Sequence, residues 1–242
     1  ALGPTMFQAQ RGGLAAACRL HPGGAPPIPD ELSGVEAAGI FIPYQTAWVA
    51  LVRRARITAD DTLLVLGASG SSGCAAVQLA RAKGARVIAV AGGAEKVAFC
   101  ESIGADAVID RKQQDVTEAA LELTDGRGVS MVFDPVGGKA GRAAFKAIAF
   151  EGKFILIGYA SGSWAEIALP ETMMKNISLV GAMPVGYSPE QVMAAHEDLL
   201  RHWRDGALRV SHCQEFGFDE ARDAIELIAG GRVEGKVVVR IL

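Results

Sequence analysis

The chain has 242 residues, half of them hydrophobic, and its 24 basic and 27 acidic side chains give a net charge of -3. A chain of this length and hydrophobic content can bury a substantial core, which excludes wholesale disorder. The charge balance leaves no basic excess that would attract nucleic acid. We therefore expect a folded protein of one large or two small domains that does not bind nucleic acid.

The cysteines are scattered along the chain without a Cys-x-x-Cys pair, at Cys18, Cys74, Cys100 and Cys213. This spacing argues against a disulfide framework and against a structural zinc ribbon. The sequence shows no run of 18 uncharged apolar residues and no signal peptide at its start. It therefore predicts a cytoplasmic protein with reduced thiols and no membrane role.

In chain order, residues 1–34 are rich in Gly, Ala and Pro and predict turns and extended coil. A helical segment is expected from Ser33 to Arg54, with an interruption near Pro43. From Thr62 onward, apolar runs of strand length alternate with helical patterns. The predicted strands lie at 62–66, 86–91, 107–109, 129–134, 152–157 and 177–181, and the helices between them at 74–83, 95–103, 116–124 and 139–149.

This alternation predicts an α/β fold in which a doubly wound parallel sheet is covered by helices on both faces. The pattern changes after Pro184, and the remaining segments are expected to belong to a second module. They are a helix at 189–205, a strand-like stretch at 209–218, a helix at 219–229 and a strand at 236–241.

A loop of small residues between the first strand and its helix, Gly67 to Gly73, indicates phosphate binding. Gly70 lets the backbone approach a pyrophosphate, Gly73 lets helix and strand pack closely, and the helix N-terminus offers free N–H groups. Ala68 replaces the usual first glycine, so the fingerprint reads A-x-G-x-x-G. Any tight strand-to-helix turn can use such residues, but its place after the first of six strands favours a dinucleotide site.

The end of the second strand favours NADP(H) over NAD(H). An NAD site usually has an acidic residue there to hold the ribose 2′-hydroxyl. This strand ends in Ala91, Gly92 and Gly93, which leaves room for a 2′-phosphate, and Lys96 and Arg111 supply positive charge. The alternative, that these two cations are ordinary solvated side chains, stays open because Glu95 and Asp110 lie beside them.

Five stretches of the sequence resemble the medium-chain dehydrogenase/reductase superfamily, specifically its zinc-free quinone oxidoreductase (zeta-crystallin-like) branch. They lie at 27–33 (PIPDELS), 45–48 (QTAW), 67–73, 102–110 (SIGADAVID) and 235–239 (GKVVV). The resemblance implies a Rossmann domain at 41–183, preceded at 1–40 by the end of a GroES-like catalytic domain. Residues 184–242 would return to that catalytic domain, and most of its N-terminal part would be absent from this chain.

The resemblance also implies a site without metal. Zinc alcohol dehydrogenases of this superfamily carry a cysteine ligand four residues before the threonine that matches Thr46, and this chain has Ile42 there. The four histidines are dispersed, and no His-Glu-x-x-His motif occurs. Because no metal would polarise an alcoholate, alcohol oxidation is disfavoured.

Cofactor contacts follow from the resemblance position by position. Thr46 would lie beside the nicotinamide, unless its hydroxyl only caps a helix. The other positions are Ser69, Gly70, Ser72 and Gly73 at the pyrophosphate, Gly92, Lys96 and Arg111 around the 2′-phosphate, and Val136, Gly137, Gly158, Tyr159, Ala182 and Met183 at the ends of the last three strands. For these last six, plain turn residues remain the alternative, and Cys74 is favoured as a core residue over a reactive thiol.

The implied activity is NADPH-dependent hydride transfer to a quinone or an α,β-unsaturated carbonyl compound, a small-molecule substrate. No catalytic side chain and no general acid can be named. The alternatives are an enoyl-thioester reductase and a non-catalytic NADPH-binding module. The family commonly dimerises through the last sheet strand, and the apolar stretch 177–183 predicts a homodimer of that kind.

Overall fold

The computed structural model describes residues 26–210 and 213–241, with only the backbone of Cys213. Most of the segment 1–40, predicted to be the end of a catalytic domain, therefore lies outside the described residues. So do Cys18 and two of the four dispersed histidines, His21 and His212.

The first described helix, α1 (Gly34–Trp48), continues directly into a π-helical turn at Val49–Arg54. Ser33 caps it: its hydroxyl accepts the Glu36 N–H, and the Glu36 carboxylate accepts the Ser33 N–H. The predicted interruption near Pro43 is wrong, because the helix runs through that residue. Phe41, Pro43 and Tyr44 are buried in the core, and this packing outweighs the one backbone hydrogen bond that proline removes.

Six parallel strands form one sheet in the order β3-β2-β1-β4-β5-β6. Their bounds are β1 Thr62–Val65, β2 Arg86–Ala91, β3 Ala107–Asp110, β4 Val129–Asp134, β5 Ile148–Leu156 and β6 Ser178–Gly181. This order is that of a doubly wound Rossmann fold, so the predicted fold class is confirmed. β5 begins four residues earlier than predicted, where Ile148 pairs with Val129 before a shift in register.

Helices cover both faces of the sheet. They are α2 Ser71–Ala82, α3 Ala94–Ser102, α4 Val116–Glu122, α5 Gly138–Lys146 and α6 Leu169–Met174. Alternate strand residues enter two separate cores: Leu63 and Val65 pack with α1, α2 and α3, whereas Leu64 and Leu66 pack with α4 and α5. Burial on both faces explains the continuous apolar runs of these strands. The short α6 was not predicted, because none of its residues is buried and it carries no apolar periodicity.

After β6 the chain forms α7 (Pro189–Arg204) and a separate two-stranded parallel sheet of β7 (Cys213–Gly217) and β8 (Lys236–Arg240). A 3₁₀ turn (Phe218–Glu220) and α8 (Ala221–Ala229) connect these two strands. The Trp48 indole N–H donates to the Asp198 carboxylate at 2.7 Å, which joins α7 to α1. The Gly235 N–H donates to the Ser69 carbonyl at 2.8 Å, which brings the start of β8 onto the loop after β1.

One helix, Gly34–Arg54, is long and apolar enough to cross a membrane by length and composition. However, 67% of its most apolar window is buried inside the fold. Such burial is that of a core helix in a globular domain, so the segment serves as the central packing element between the sheet and α7.

Candidate functional site

The carboxyl ends of β1, β2 and β4 open into a cavity of about 900 Å³, here called the first cavity. In doubly wound sheets this edge, beside the switch in strand order, is where ligands bind. The loop after β1, the ends of β2 and β4, the loop after β5 and the segment before β8 all contribute to its lining. The sheet topology thus brings segments that are more than 150 residues apart in sequence to one site.

The loop after β1 forms the floor of the first cavity with its backbone. A Cβ atom at Gly73 would lie 2.3 Å from the Gly67 carbonyl oxygen and 2.7 Å from the Ala68 Cα, so only glycine fits there. Gly70 is the N-cap of α2, and no side chain caps that helix end. The first N–H groups of α2 therefore face the cavity without intrahelical acceptors, which favours a bound anion.

The end of β2 carries a cationic corner of the first cavity. The Arg111 guanidinium packs over Gly92, where a Cβ atom would lie 3.0 Å from the Arg111 Nε. The Asp110 carboxylate accepts the backbone N–H groups of Gly93 at 2.9 Å and Lys112 at 3.0 Å, and these hydrogen bonds hold its pKa below the ordinary value of 3.8. The Asp110 carboxylate thus bonds within its own loop, and the Arg111 guanidinium is the charged group that lies over Gly92.

Lys96 also lines the first cavity, but its ammonium group has a protein partner. Its Nζ donates to the Gly231 carbonyl oxygen, which ties α3 to the segment before β8. Lys112, which the sequence analysis did not consider, lies near this corner, with its Nζ 3.3 Å from where a Gly93 Cβ would stand. The cation over the small residues at the end of β2 is therefore Arg111, with Lys96 and Lys112 around it.

At the end of β4, a buried carboxylate shapes the next loop. Asp134 accepts the N–H groups of Val136 at 2.9 Å and Gly137 at 2.7 Å. Burial raises the pKa of Asp134 above 3.8, and the two hydrogen bonds oppose that shift. Gly137 has a φ of +70°, and a Cβ atom there would lie 2.3 Å from the Ser163 carbonyl oxygen. The loop after β4 is thus packed tightly against the loop after β5, and Val136 faces the cavity between them.

A second cavity of about 660 Å³ lies at the carboxyl ends of β5 and β6. Its walls are Arg54, Leu156, Ile157, Trp164, Gly181, Ala182, Met183, Val185, Gly186 and Tyr187. The Arg54 Nε donates to the Gly181 carbonyl at 3.0 Å, and the Trp164 ring lies 4.7 Å from the Tyr159 ring. Ser163 lines the first cavity and Trp164 the second, so the two cavities are neighbours along the same sheet edge.

The predicted site residues divide between these places. Eight line the first cavity, namely Ser69, Gly70, Ser72, Gly73, Gly92, Lys96, Arg111 and Val136. Ala182 and Met183 line the second cavity. Gly137, Gly158 and Tyr159 lie on the two loops between the cavities, where a Gly158 Cβ would stand 3.2 Å from the Pro135 carbonyl oxygen.

Thr46 is buried in α1 and lines neither of the two cavities; its hydroxyl donates to the Ile42 carbonyl at 2.8 Å. Sequence reasoning missed the wall contributed by Ser161, Ser163, Ile228 and Lys236. The run of small polar residues after β5 was a usable signal for the two serines. Lys236 lies in the stretch 235–239 that carries the resemblance, but no pattern placed it at the cofactor, and no local pattern marks Ile228. Both reach the cavity because the segment before β8 folds back onto the loop after β1.

Among the described residues, no group of three or more His, Cys, Asp or Glu side chains could hold a metal ion. Ile42, at the position of the zinc-ligating cysteine in related alcohol dehydrogenases, carries an aliphatic side chain. Cys74 is buried and accepts the Gln78 amide N–H at 3.2 Å. Burial raises the pKa of Cys100 to about 12, which keeps that thiol protonated.

Comparison with known proteins gives consistent results. The family model described as zinc-binding dehydrogenase matches residues 73–200. A quinone oxidoreductase-like protein 2 homolog from Nematostella vectensis is 34% identical over 235 residues, which cover 95% of this chain and 64% of that protein. The chain thus spans less than two thirds of the length of that relative.

Two solved structures have the same fold. Quinone oxidoreductase from Escherichia coli, complexed with NADPH, has a TM-score of 0.83 and 26% identity over 90% of this chain and 68% of its own. CurK enoyl reductase has a TM-score of 0.79 and 25% identity over 90% of this chain and 65% of its own. Because the family model covers more than half of the chain, and the strand order and the loop after β1 agree with it, this chain belongs to the medium-chain dehydrogenase/reductase superfamily and is similar to its quinone oxidoreductases.

Proposed function

We propose that this protein is an NADPH-dependent oxidoreductase that reduces a quinone or an α,β-unsaturated carbonyl compound without zinc. The observation that carries the proposal is the first cavity, where a backbone cradle at Gly73 and an arginine over Gly92 lie at the switch point of a doubly wound sheet. These are the features that a dinucleotide with a 2′-phosphate requires.

The residues present fit NADP(H). The N–H groups at the start of α2, with Ser69, Gly70 and Ser72, would hold the pyrophosphate. Arg111 over Gly92 would pair with the 2′-phosphate, where an NAD site would have a carboxylate. The E. coli relative, crystallised with NADPH, supports NADP(H) as the cofactor.

When bound, the cofactor supplies the hydride. The chain's own residues orient the cofactor and shield it from water. The part of the cofactor that extends toward the second cavity is proposed to contact Val136, Gly137, Gly158, Tyr159, Ala182 and Met183. None of the described side chains is assigned as a general acid, so the proton comes from water or from residues outside the described ranges.

The aliphatic Ile42 supports the zinc-free mechanism, because a metal ligand is replaced there by a side chain that cannot bind zinc. Without a metal to stabilise an alcoholate, the favoured reaction is reduction of an electron-poor double bond. We propose a cytoplasmic location, because Cys100 is a buried free thiol among the described residues.

A cofactor titration tests this proposal. We expect the chain to bind NADPH more tightly than NADH, and Arg111→Gln to remove most of that preference, by about tenfold or more. Arg127→Gln is the matched control, because Arg127 is exposed and pairs only with the Asp125 loop on another part of the surface. Equal affinity for the two cofactors, or no binding of either, would refute the proposal. Tight NADPH binding without turnover of any acceptor would support the non-catalytic binding module instead.

The similarity to CurK favours a second candidate, an enoyl-thioester reductase on the same scaffold. A product assay with NADPH separates the two: reduction of a quinone but not of an enoyl thioester supports the first proposal. Turnover of the thioester alone supports the second.

The proposed homodimer would form through β6. In the described chain β6 pairs only with β5, so its outer edge carries unpaired backbone groups, and Leu179 on this strand and Met173 and Met174 on the preceding helix are exposed. We expect light scattering to give the mass of a dimer, and Leu179→Lys to shift it toward monomer. Ile225→Lys, on the exposed face of α8, is the control; a monomeric native chain would contradict the proposal.

A further inference from the structure

The second cavity is walled by apolar and aromatic side chains, with Arg54 as its one cationic residue among the described lining residues. Its volume of about 660 Å³ lies in the range of small-molecule sites. It opens at the carboxyl ends of β5 and β6, one step along the sheet edge from the first cavity. A ligand in the second cavity would therefore meet the end of a dinucleotide that extends from the first.

Arg54 reaches this cavity because of a local irregularity in the backbone. It is the last residue of the π-helical turn that extends α1, and such turns are rare and frequently lie at functional sites. Its Nε donates to the Gly181 carbonyl, and among the described residues its terminal N–H groups have no hydrogen-bond partner. A guanidinium that is held at its Nε and keeps four terminal N–H donors available in an apolar cavity is suited to a carbonyl oxygen.

Two aromatic side chains complete the walls. Trp164 is 51% exposed although its ring packs on Tyr159, so one part of the indole is covered and the rest remains open. Tyr187 is held by the Arg53 guanidinium, which lies 4.8 Å from its ring centroid. Flat side chains with fixed neighbours favour a flat ligand, because stacking requires little further ordering.

We propose that the second cavity binds the hydride acceptor, that it selects planar conjugated carbonyl compounds, and that Arg54 donates to the acceptor's carbonyl oxygen while Trp164 contacts its ring. This inference rests on the proposed function. When the hydride that NADPH supplies on its oxidation to NADP⁺ adds to the conjugated carbon, a C–H bond forms there and the π electron pair moves to the carbonyl oxygen, which becomes an enolate oxyanion. With a quinone, tautomerisation of this adduct then gives the hydroquinone. The Arg54 guanidinium stabilises that charge until a proton from water neutralises it.

The test measures binding without turnover, on the full chain saturated with NADP⁺. Two flat probes with the same carbon skeleton are compared by equilibrium dialysis. They are 2,3-dimethyl-1,4-naphthoquinone, whose ring positions are blocked against thiols, and 2,3-dimethylnaphthalene, which lacks the carbonyl oxygens. We expect Arg54→Gln to weaken quinone binding by about tenfold and to leave hydrocarbon binding unchanged. Arg54→Lys should recover part of the quinone affinity, and Arg56→Gln, an exposed arginine outside the cavity, should change neither probe.

Tryptophan fluorescence locates the probes. The quinone should quench the native chain, and Trp164→Phe should remove most of that quenching, because the other two tryptophans, Trp48 and Trp203, pack against the core. Equal weakening of both probes by Arg54→Gln, or full quenching in Trp164→Phe, would overturn the inference. These outcomes are distinct from failure of the proposed function, which shows earlier as an absence of NADP⁺ binding.

Discussion

The loop after β1 gives the first cavity a wall of backbone atoms, whereas the second cavity is walled mainly by side chains. In the first, Gly73 leaves no room for a methyl group, and in the second, Trp164 and Met183 are more than half exposed. A wall of backbone atoms has a fixed shape, and replacing its glycines by larger residues would disturb that shape. It therefore suits a ligand group that does not vary, such as a pyrophosphate. A side-chain wall can change its chemistry without disturbing the sheet, so it suits a variable acceptor.

The largest effect that would sharpen this comparison is expected from Gly73→Ala. The added Cβ would meet the Gly67 carbonyl oxygen and the Ala68 Cα, both backbone atoms that cannot move aside. We expect a loss of about 3 kcal/mol in the free energy of unfolding, measured by urea denaturation, and loss of NADPH binding. Gly34→Ala is the control, since no atom lies within 4 Å of its Cβ position. A Gly73→Ala protein as stable as the native chain would contradict this prediction, because it would show that the backbone at Gly67 and Ala68 can move to admit a methyl group.

A second prediction concerns the charged corner of the first cavity. In Gly92→Asp the new carboxylate would lie against the Arg111 guanidinium and repel a 2′-phosphate. We expect NADPH affinity to fall by about 10- to 100-fold and NADH affinity to change much less, as measured by fluorescence titration. Gly92→Asn adds the same bulk without charge, so an equal loss in that variant would mean that space, and not charge, selects the cofactor.

A third prediction separates hydrogen bonding from charge at Asp134, whose carboxylate orders the loop between the cavities. Asp134→Ala leaves two backbone N–H groups without their acceptor, and we expect a loss of about 2 kcal/mol in the free energy of unfolding. Asp134→Asn keeps an acceptor oxygen, so it should lose much less. An Asn variant as unstable as the Ala variant would contradict this role.

The raised pKa of Asp134 also predicts how the stabilities of the native chain and of Asp134→Asn differ with pH. Above the ordinary value of 3.8 the unfolded chain has released a proton that the folded chain still holds, so the stability of the native protein falls as the pH rises through this window. Asparagine does not titrate there. The stability of Asp134→Asn relative to the native chain should therefore increase as the pH rises above 3.8, as urea denaturation would show.

The smallest effect is expected away from both cavities, between α5 and α6, where Arg142 makes two hydrogen bonds to Glu171, at 2.7 Å and 2.8 Å. Both side chains are partly exposed, so we expect Arg142→Gln to lower the free energy of unfolding by much less than Asp134→Ala does. Glu171→Gln should cost a similar amount, and the double variant should cost no more than either alone. A loss comparable to that of Gly73→Ala would contradict the expectation that an exposed ion pair contributes little.

Local patterns predicted the elements that are buried on both faces. The strands at 86–91 and 129–134 have the predicted bounds, since continuous apolar runs leave little choice of structure. The glycine spacing also located the loop after β1. Exposed or irregular elements escaped prediction: α6 buries no residue, and the π-helical turn follows from the packing of α1 and not from a sequence signal.

The sequence by itself determined the sheet, the loop from Gly67 to Gly73 and the small residues at the end of β2, because each depends on neighbours within a few residues. The tertiary structure decided which distant groups join them: Arg111 over Gly92, Gly235 on the Ser69 carbonyl, and Arg54 with Trp164 around the second cavity. These contacts depend on strand order and on the return of the chain after β6. Long-range packing fixes both, and no local spacing encodes them.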